Sequence, residues 1–579
     1  LPADNRAAAR CRGNEADGLK GNRITRSKRY FCAFGDFVDR FEMPGGYLAL
    51  VLHAHLPFVH HPEQQWFLEE DWLFEAITEC YIPLIWVLRE ILADEIPCRL
   101  TLSISPTLAE MLSNSLLQGR YLRYLESRTE LSAQEVRRTA ALPALHSLAQ
   151  MYHRTFGRAQ QLFEHLGGNL LRAFSELQAE GVVEIITCPA THAFMPFVSR
   201  VEAQRAQLWV AREVYRNHFG KSPSGLWLAE CGYEPKLDPL IREAGFEYSI
   251  LDSHGLLFGN PRPASGIFAP VKTPQGLTVF GRDLESGRQV WSSQGGYPGD
   301  AYYREFYRDL GFDAEYNYIR PFLHPDGIRR NVGIKYHRIT GTGDLSQSEI
   351  YIREKALARA EEHAGNFIFN RCQQIQYLRE TLRHKPVVVS PYDAELFGHW
   401  WFEGPQFLDQ VIRKARDQSF FELVTLGEAV ERHHNAITQQ PSSSSWGASG
   451  YQQVWLNERT QWMYRHQHHI EDAMVELTNR FPEAQGVVRR ALNQDARELL
   501  LAQASDWAFL ISQGSSVPYA VRRFRNHIHR FQVLHQQILQ RDVQLDSLTS
   551  MELQDSIFPR IDYRLFRSPG ASGCETVTC

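Results

Sequence analysis

Short apolar runs recur along the chain from residue 47 onward, and stretches of helical periodicity separate most of them. The runs are rich in β-branched residues, as expected for strands buried on both faces of a parallel sheet. Alternation of this kind indicates an α/β fold, either a parallel barrel or a doubly wound sheet. The predicted strands cover 47–52, 99–104, 183–187, 225–229, 248–251, 278–281, 386–390 and, as a further candidate, 421–425.

Two stretches interrupt this alternation. Residues 106–180 have mostly helical periodicity and are predicted to form an insertion. Residues 282–345 are rich in glycine and aromatic residues, and loops of that length are usually functional. After about Arg432 the pattern is helical, over 458–480, 483–513 and 517–540, which predicts an all-α C-terminal domain. The polar stretch 439–445 before it is interpreted as a linker or surface loop.

These patterns place an α/β domain at 46–435 and a helical domain at 436–567. Residues 1–42 are rich in Arg and Lys and lack apolar periodicity, so we expect Met43 to be the natural start and residues 1–45 to be an upstream extension or disordered. Residues 568–579 are predicted to be a disordered tail. No apolar run has the length of a transmembrane helix.

Composition narrows the class of protein. The 579 residues carry a formal net charge of -5, with 22% charged and 43% hydrophobic residues, which gives no reason to expect a nucleic-acid or membrane partner. The nine cysteines are scattered without a Cys-x-x-Cys pair, so we expect a reducing, cytoplasmic location. Twelve Trp and 23 Tyr offer flat faces that suit stacking on sugar rings, although they equally suit a large core.

Polar side chains follow most of the predicted strands at their carboxyl ends. Glu230 ends the apolar run 226–229, and His53 and His55 follow the first strand with their side chains on the same side. Because the βα-loops of a barrel face one another, six such ends predict a single site. The other polar residues at strand ends are His192, Asp252, His254, Arg282, Asp283 and Asp393.

Glu230 and Asp393 are carboxylates on separate strands, which is the pair that glycoside chemistry requires. One attacks the anomeric carbon, and the other first protonates the leaving oxygen and then deprotonates the acceptor. The two histidines of the His-x-His pair are either metal ligands, completed by a carboxylate, or donors to substrate hydroxyls. Paired structural histidines and a salt bridge at a strand end are the alternatives without function.

Five motifs in the same order carry a resemblance to a known family. The chain resembles glycoside hydrolase family 57, and within it the glucan branching enzymes of the prokaryotic type. The motifs extend over most of the chain and are more specific for the family than for the reaction. They are HAHLP at 53–57, EIIT with ATH between 184 and 192, WLAECGY at 227–233, YDAELFGHWW at 392–401 and SDW at 505–507.

The resemblance implies an α/β fold in the form of an incomplete (β/α)7 barrel with a helical insertion, followed by an all-α C-terminal domain that closes the active site. It implies that Glu230 is the nucleophile and Asp393 the general acid/base, with no metal and no other cofactor. His53, His55 and His192 would line the subsite for the cleaved sugar. The other substrate-binding residues that we expect are Trp227, Trp291, His399, Trp400, Trp446, Trp455, Asp506 and Trp507.

Residues 444–457 resemble the segment of branching members that closes over the active site. The flat faces of Trp446 and Trp455 are therefore expected to hold the acceptor glucan and to exclude water. One departure concerns the loop after the fourth strand, where branching members commonly carry a Tyr that is thought to shield the intermediate. Residues 260–266 contain none, which leaves the balance between transfer and hydrolysis open.

The expected function is 1,4-alpha-glucan branching: cleavage of α-1,4 links and formation of α-1,6 branches by a retaining double displacement. The expected partner is an α-glucan polysaccharide such as amylose or glycogen, bound by a monomer. The nearest alternatives are a 4-alpha-glucanotransferase and an α-amylase on the same scaffold. Outside this class they are a metal-dependent deacetylase using His53, His55 and a carboxylate, and a non-catalytic glucan-binding protein.

Overall fold

The computed structural model describes residues 44–292, 295–341 and 344–569. All eight predicted strands are present in these ranges, two of them with the predicted bounds, and one short strand, β6, is additional. The strands are β1 Gly46–Ala54, β2 Leu100–Ile104, β3 Val183–Ile186, β4 Gly225–Leu226, β5 Tyr248–Leu251, β6 Val271–Lys272, β7 Thr278–Gly281, β8 Val387–Asp393 and β9 Phe421–Leu423.

The strands form two arcs that are joined at both ends. One arc has the order β3-β2-β1-β8, with β9 beside the start of β1, and the other has the order β4-β5-β7-β6, in which β6 is antiparallel. The Trp227 N–H donates to the Thr187 carbonyl at 2.8 Å, next to β3 and β4, and the Asp283 N–H donates to the Val389 carbonyl at 2.8 Å, next to β7 and β8. The parallel strands therefore end on one side of the molecule.

The strand β1 lies in the core, and all nine of its residues are buried. Leu48, Leu50 and Leu52 belong to the large apolar cluster that also contains the helices, whereas Ala49 and Val51 belong to a second cluster with the inward side chains of the other strands. Successive residues of a strand face opposite sides, so a strand covered on both faces is apolar without interruption. The sheet is thus a rigid support for the residues that follow it.

Helices cover most of the remaining chain. The stretch 106–180, predicted to be a helical insertion, contains the four helices α3 to α6, and the region 282–345 is mostly loop with short helices. The helices are α1 Glu70–Ala76, α2 Ile82–Ala93, α3 Pro106–Ser113, α4 Ser115–Arg138, α5 Pro143–His165, α6 Leu170–Ala179, α7 Val201–Phe219, α8 Asp238–Glu243, α9 Ser253–Leu257, α10 Leu284–Trp291, α11 Leu310–Asp313, α12 Tyr316–Ile319, α13 Arg353–Thr381, α14 Gly404–Arg416, α15 Leu426–Arg432, α16 Gln461–Arg480, α17 Gly486–Ala502, α18 Ser505–Gln513, α19 Val517–Gln540 and α20 Leu545–Gln554.

The helical pattern at 483–513 is two helices, α17 and α18, and not the single one predicted. The chain turns at Gln503 and Ala504, and Ala504 pairs with Ala193 of the α/β domain. The Ser505 N–H donates to the His192 carbonyl oxygen at 3.2 Å. Apolar periodicity runs through both helices, which is why the pattern hides the break. The break brings the start of α18 to the carboxyl ends of the strands.

The interpretation of 439–445 as a linker or surface loop is wrong. Residues 437–446, here named the strap, cross β6 and the loops that follow β4 and β5, and Gln439, Ser444 and Ser445 are at most 1% exposed. Backbone groups of β6 and of the loops bind the strap along its length. Its polar side chains also donate to backbone carbonyls, as Gln439 does to Leu256 and Ser442 to Phe258, so the polar composition reflects hydrogen bonding and not exposure. The paired residues are Gln439 with Lys272, Gln440 with Asn260, Ser442 with Gly255, Ser444 with Tyr233 and Trp446 with Glu230.

The predicted terminal segments fall largely outside the described residues, at 1–43 and 570–579. Gly45, assigned to the extension, donates its N–H to the Phe420 carbonyl at 2.9 Å. Ser568, assigned to the tail, donates its hydroxyl to Glu202 Oε1 at 2.8 Å. Both residues therefore belong to the folded structure. Over the described ranges, none of the helices combines the length and the apolar character needed to cross a membrane.

Gly398 packs tightly in the loop after β8. Its φ of +117° is a value that favours glycine, and a Cβ atom there would lie 1.8 Å from the Glu79 carbonyl oxygen. We expect Gly398→Ala to lower the free energy of unfolding by about 2 kcal/mol or more, measured by urea denaturation. Gly365→Ala, in α13 with nothing within 4 Å, is the matched control and should be neutral or stabilising by up to about 1 kcal/mol. Equal losses in the two variants would contradict this account.

Candidate active site

A cavity of about 660 Å³ opens at the carboxyl ends of the strands. Its wall combines residues from several strand ends, the strap and the helical domain. Eight of the predicted site residues line it, together with seven that were not predicted to bind substrate. The eight are His53, His55, His192, Glu230, Trp291, Asp393, Trp446 and Asp506, and the seven are Arg282, Leu284, Gly287, Arg288, Ser292, Glu395 and Phe509.

Glu230 stands on a strained turn. The strand β4 ends at Leu226, earlier than predicted, and the turn Ala229–Cys231 presents the carboxyl group. The φ angles of Glu230 and Cys231 are 60° and 50°, which are costly for residues with a side chain. The Trp446 N–H donates to the Glu230 carbonyl oxygen at 2.9 Å. The strap therefore holds the turn that aims this carboxyl group into the cavity.

The side chain of Glu230 is only 15% exposed. The indole N–H of Trp446 donates to Glu230 Oε2 at 2.6 Å, and His192 Nδ1 lies 4.0 Å from Oε1. Burial raises the pKa of Glu230 to about 7, although the hydrogen bond from Trp446 favours the ionised form and lowers it. A poorly solvated carboxylate that a strong donor keeps in place is suited to nucleophilic attack.

Asp393 is the last residue of β8 and lies in register with His53 of β1. Burial raises the pKa of Asp393 well above its usual range, and the neighbouring carboxylates of Glu395 and Glu230 raise it further. The direction of this shift favours the protonated form of Asp393, which is the form that a general acid needs. The surroundings thus favour the ionised form of Glu230 through the Trp446 hydrogen bond and the protonated form of Asp393, as a nucleophile and an acid require.

Three histidine rings and Trp227 form a stack. The ring centroids of His55 and His192 are 3.9 Å apart, and those of His53 and Trp227 are 4.8 Å apart. The Nε2 atoms of His53 and His192 are 3.0 Å apart. Burial, and then the charge of His55, lower the pKa of both His53 and His192, so both are neutral and one donates to the other. The histidines of the stack offer a flat, hydrogen-bonding wall to a sugar.

The helical domain supplies part of this wall. His55 Nε2 lies 3.1 Å from Asp506 Oδ1, and His192 Nδ1 lies 2.9 Å from the hydroxyl oxygen of Ser505. Ser505 and Asp506 are the first residues of α18, directly after the break in the helical pattern. The histidine cluster therefore depends on hydrogen bonds from the start of α18.

Trp455 and Trp507 are in the core instead of the cavity wall, with at most 1% exposure. Trp455 stacks on Phe194 with a centroid distance of 4.5 Å, and the Trp507 indole N–H donates to the Leu501 carbonyl at 2.8 Å. The structure thus corrects the prediction that their faces meet substrate, since apolar packing covers both rings. Trp227 also has no exposed surface and supports the histidine stack from behind.

His399 and Trp400 lie outside the cavity lining as well. His399 Nδ1 is 2.7 Å from Glu79 Oε2, and Trp400 stacks on Phe306 at 4.4 Å. The turn at Gly398 separates them from Asp393. Both remain partly exposed, so the structure places them on a neighbouring surface and not at the reacting carboxyl groups.

Several residues that line the cavity were not predicted from the sequence to bind substrate. Glu395 accepts from the Tyr81 hydroxyl at 2.5 Å and from the His55 N–H at 3.2 Å, and its place two residues after Asp393 was the available signal. Arg282 was recognised only as one of the polar residues at strand ends. Phe509 is on α18, and its place in the cavity wall could not be predicted because the break before α18 was not recognised. Asp283, also at a strand end, instead caps α10 through the Ser286 N–H at 2.8 Å.

Two groups in the described part of the chain have donor atoms close enough for a metal ion: His55, His192 and Asp506, and Glu498, His527 and Asp555. In the first, the rings of His55 and His192 are stacked at 14° to each other, so their ring nitrogens do not converge on one point. In the second, the side chains of Arg523 and Arg530 already contact Asp555. Neither arrangement fits a cation well.

The strand-end cavity, the carboxyl pair and the histidine wall define an α/β enzyme that acts on glycosidic bonds. The chain belongs to glycosyl hydrolase family 57, whose family model matches residues 49–374. A second model, described as the C-terminal region of 1,4-alpha-glucan branching enzyme, matches residues 466–566. The second match contains α17 to α19 and therefore Asp506.

Three known proteins show the extent of the similarity. The 1,4-alpha-glucan branching enzyme TK1436 of Thermococcus kodakarensis is 32% identical over 85% of this chain and 74% of its own length. The structure of the GH57-type branching enzyme from Pyrococcus horikoshii has a TM-score of 0.82 and 32% identity, covering 92% of this chain and 98% of that one. The structure described as the novel alpha-amylase AmyC from Thermotoga maritima has a TM-score of 0.85 and 42% identity, covering 90% and 99%.

The raised pKa of Glu230 leads to a prediction for the pH dependence of activity. Glu230 must lose its proton to attack, so kcat/KM should rise with pH up to about 7, where its pKa lies. Because the pKa of Asp393 is also raised, its proton should be lost only at a higher pH than that of an ordinary aspartate, and this loss should lower the rate. Initial rates on amylose between pH 4 and pH 10 measure both limbs, with thermal unfolding at each pH as the control. An acid limb at the pKa of an ordinary glutamate would contradict the assignment.

Proposed function

We propose that the protein is a 1,4-alpha-glucan branching enzyme of glycogen or starch-type glucan synthesis. The observation that carries this proposal is the place of the region similar to branching enzymes: it delivers Asp506 to the histidine wall beside Glu230. The strap delivers Trp446 to Glu230 itself. The carboxyl pair and a residue of the region similar to branching enzymes therefore line the same cavity.

The reaction follows from the two carboxyl groups. The Glu230 carboxylate attacks C1 of an α-1,4-linked glucose while Asp393 gives its proton to the leaving O4, so the C1–O4 bond breaks and a glycosyl ester forms. Asp393, now ionised, takes the proton from the 6-hydroxyl group of a second glucan. That oxygen attacks C1, the ester bond to Glu230 breaks, and an α-1,6 link with retained configuration results.

Binding roles follow from the cavity wall. We assign the neutral histidines His53 and His192, with His55 on Asp506, to the hydroxyl groups of the cleaved sugar. Trp291 is 39% exposed and lies edge-on to Trp446, with centroids 6.3 Å apart. These two rings form an aromatic wall suited to the acceptor glucan. His399 and Trp400 belong to a more distant part of the glucan path.

The finer features of the fold are part of the same proposal. Seven parallel strands, β1 to β5, β7 and β8, form an incomplete (β/α)7 barrel, which the hydrogen bonds joining the two arcs support. Residues 46–435 form the catalytic domain and residues 436–567 an all-α domain that closes the active site. We also propose a cytoplasmic monomer that acts on amylose or glycogen without a metal.

A second candidate, α-amylase activity, is favoured by one observation. Residues 260–266, where we expected a shielding tyrosine after the fourth strand, follow β5 in the structure and contain no tyrosine. The similarity to AmyC, described as an alpha-amylase, points the same way. The balance between a sugar hydroxyl and water as acceptor separates the two activities.

Incubation with amylose tests the proposal directly. Branching predicts a growing α-1,6 signal in the proton NMR spectrum with few new reducing ends, and debranching then gives the lengths of the transferred chains. Reducing ends without α-1,6 links would identify an α-amylase, and changed chain lengths with α-1,4 links alone a 4-alpha-glucanotransferase. Unchanged amylose, together with EDTA-sensitive release of acetate from an acetylated sugar, would favour the metal-dependent deacetylase instead.

Replacing the nucleophile tests the assignment of Glu230. Glu230→Gln should reduce turnover by at least about a thousandfold, while the affinity for maltooligosaccharides measured by calorimetry stays within a few-fold. Because the pKa of Glu230 is raised in the folded state, the wild type loses stability as the pH rises from the ordinary glutamate pKa to about 7, and the full cost is present at pH 8. The variant should therefore unfold at no lower temperature than the wild type at pH 8.

Glu234→Gln is the matched control for this experiment. Glu234 is four residues further along the same loop and pairs with Lys236 at 2.8 Å. Its replacement should leave turnover near the wild-type value. Near-normal activity of Glu230→Gln would remove the basis of the proposed mechanism.

A further inference from the structure

The indole N–H of Trp446 reaches Glu230 only if its ring keeps one orientation. Trp446 is partly buried, and its ring meets Trp227 edge-on with a centroid distance of 5.0 Å. On the cavity side, the guanidinium carbon of Arg282 lies 5.5 Å from the ring centroid. A cation over the face of an indole is an attractive contact, and a planar guanidinium stacks there better than an ammonium.

Arg282 is itself fixed from two sides. Its backbone N–H donates to the Leu251 carbonyl at 3.0 Å, and its side-chain Nε lies 2.9 Å from Asp252 Oδ2. The other oxygen, Oδ1, binds His254 Nδ1 at 2.9 Å and the Ser253 hydroxyl at 3.1 Å. Asp252 is buried, with 5% exposure, so its carboxylate is a rigid anchor for the guanidinium.

The same carboxylate also anchors the chain beyond Trp446. The ring of His254 packs so closely on Gly450 that a Cβ atom there would lie 2.7 Å from it, and it meets Tyr451 edge-on at 5.4 Å. Gly450 has a φ of +81°, in the region that favours glycine. Asp252 therefore sets the position of the Trp446 ring through Arg282 and of the following turn through His254.

We propose that Arg282 is a positioning residue for the nucleophile: held by Asp252, it packs on Trp446 and keeps the indole N–H on Glu230. The inference rests on the proposed function, because it takes Glu230 as the nucleophile. It assigns Arg282 no contact with the reacting atoms. The role should therefore appear in kcat and in the ionisation of Glu230, and much less in KM.

The charges around Arg282 define what its removal changes. Arg282 pairs with Asp252 and shares the cavity wall with the acids Glu230, Asp393 and Glu395, and the Cys231 thiol is close by. The positive charge of Arg282 lowers the pKa of Asp393, against the stronger effects of burial and the neighbouring carboxylates. Arg282→Gln removes both the stacking and the charge, whereas Arg282→Lys keeps only the charge. The two variants separate these contributions.

A double-mutant cycle tests the proposal. Arg282→Gln and Trp446→Phe should each lower kcat by about tenfold or more. Trp446→Phe removes the hydrogen bond to Glu230, and Arg282→Gln lets the indole that donates it move. The double variant should lose no more than the worse single variant, since both remove the same interaction. Arg288→Gln removes another cationic side chain from the cavity wall, and its effect should multiply with that of Trp446→Phe. Multiplying losses for Arg282 and Trp446, or a change in KM alone, would overturn the proposal.

The pH profile supplies a second readout. Losing the indole donor disfavours ionised Glu230, so Trp446→Phe and Arg282→Gln should both shift the acid limb of kcat/KM to higher pH. In Arg282→Lys the acid limb should shift while the alkaline limb stays, because the charge near Asp393 is kept. An acid limb unmoved in Arg282→Gln would overturn the proposal, and if that variant does not fold, Arg282→Lys decides by the same criterion.

The assay should follow consumption of amylose by iodine staining, which does not depend on the linkage formed. If the wild type forms no α-1,6 links, the proposed branching activity is rejected. The double-mutant cycle of Arg282 and Trp446 still tests the role of Arg282, because amylose consumption remains measurable. If Glu230→Gln retains activity, the nucleophile assignment fails, and with it the proposal for Arg282. Branch formation with multiplying losses would overturn the proposal for Arg282 alone.

Discussion

Two buried carboxyl groups share one cavity, and the rest of the site can be understood from the cost of this arrangement. Both cannot ionise cheaply side by side, so their surroundings must make them unequal. Glu230 receives the Trp446 indole N–H at 2.6 Å, whereas Asp393 lies beside the further acid Glu395. The neutral histidines add no charge that would blur this difference. The division of labour between nucleophile and acid is thus a property of the whole cavity wall.

Three distant parts of the chain build that wall. The strand ends supply Glu230 and Asp393, the strap supplies Trp446, and α18 supplies Asp506. The strap links them, because it binds the loops through its backbone and the strained turn through the Glu230 carbonyl. Such strain at Glu230 and Cys231 persists only where surrounding contacts hold it. The strap has the role of a structural clamp, which its serines and glutamines do not suggest by composition.

Much of the architecture could be read from the sequence, since a strand buried on both faces must be apolar throughout. This principle located β1, β5 and β7 closely and put Glu230 and Asp393 at the same end. Periodicity could not reveal the break at Gln503, because both helices bury similar stripes. It could not distinguish the exposed Trp291 from the buried Trp455 and Trp507, since an aromatic ring serves a core or a sugar equally well. Composition misjudged 439–445, where polar side chains satisfy buried backbone groups.

The pairing of His55 with Asp506 joins residues 451 positions apart in the chain. A ribosome adds roughly 5–20 residues per second, so Asp506 is made on the order of tens of seconds after His55. Both carboxyl groups are present once Asp393 has been added, and the strap at 437–446 and α18 at 505–513 are made only afterwards. Catalytic competence is therefore the last property that the growing chain acquires. A chain interrupted before the helical domain holds the reactive pair without the surroundings that make the two groups unequal.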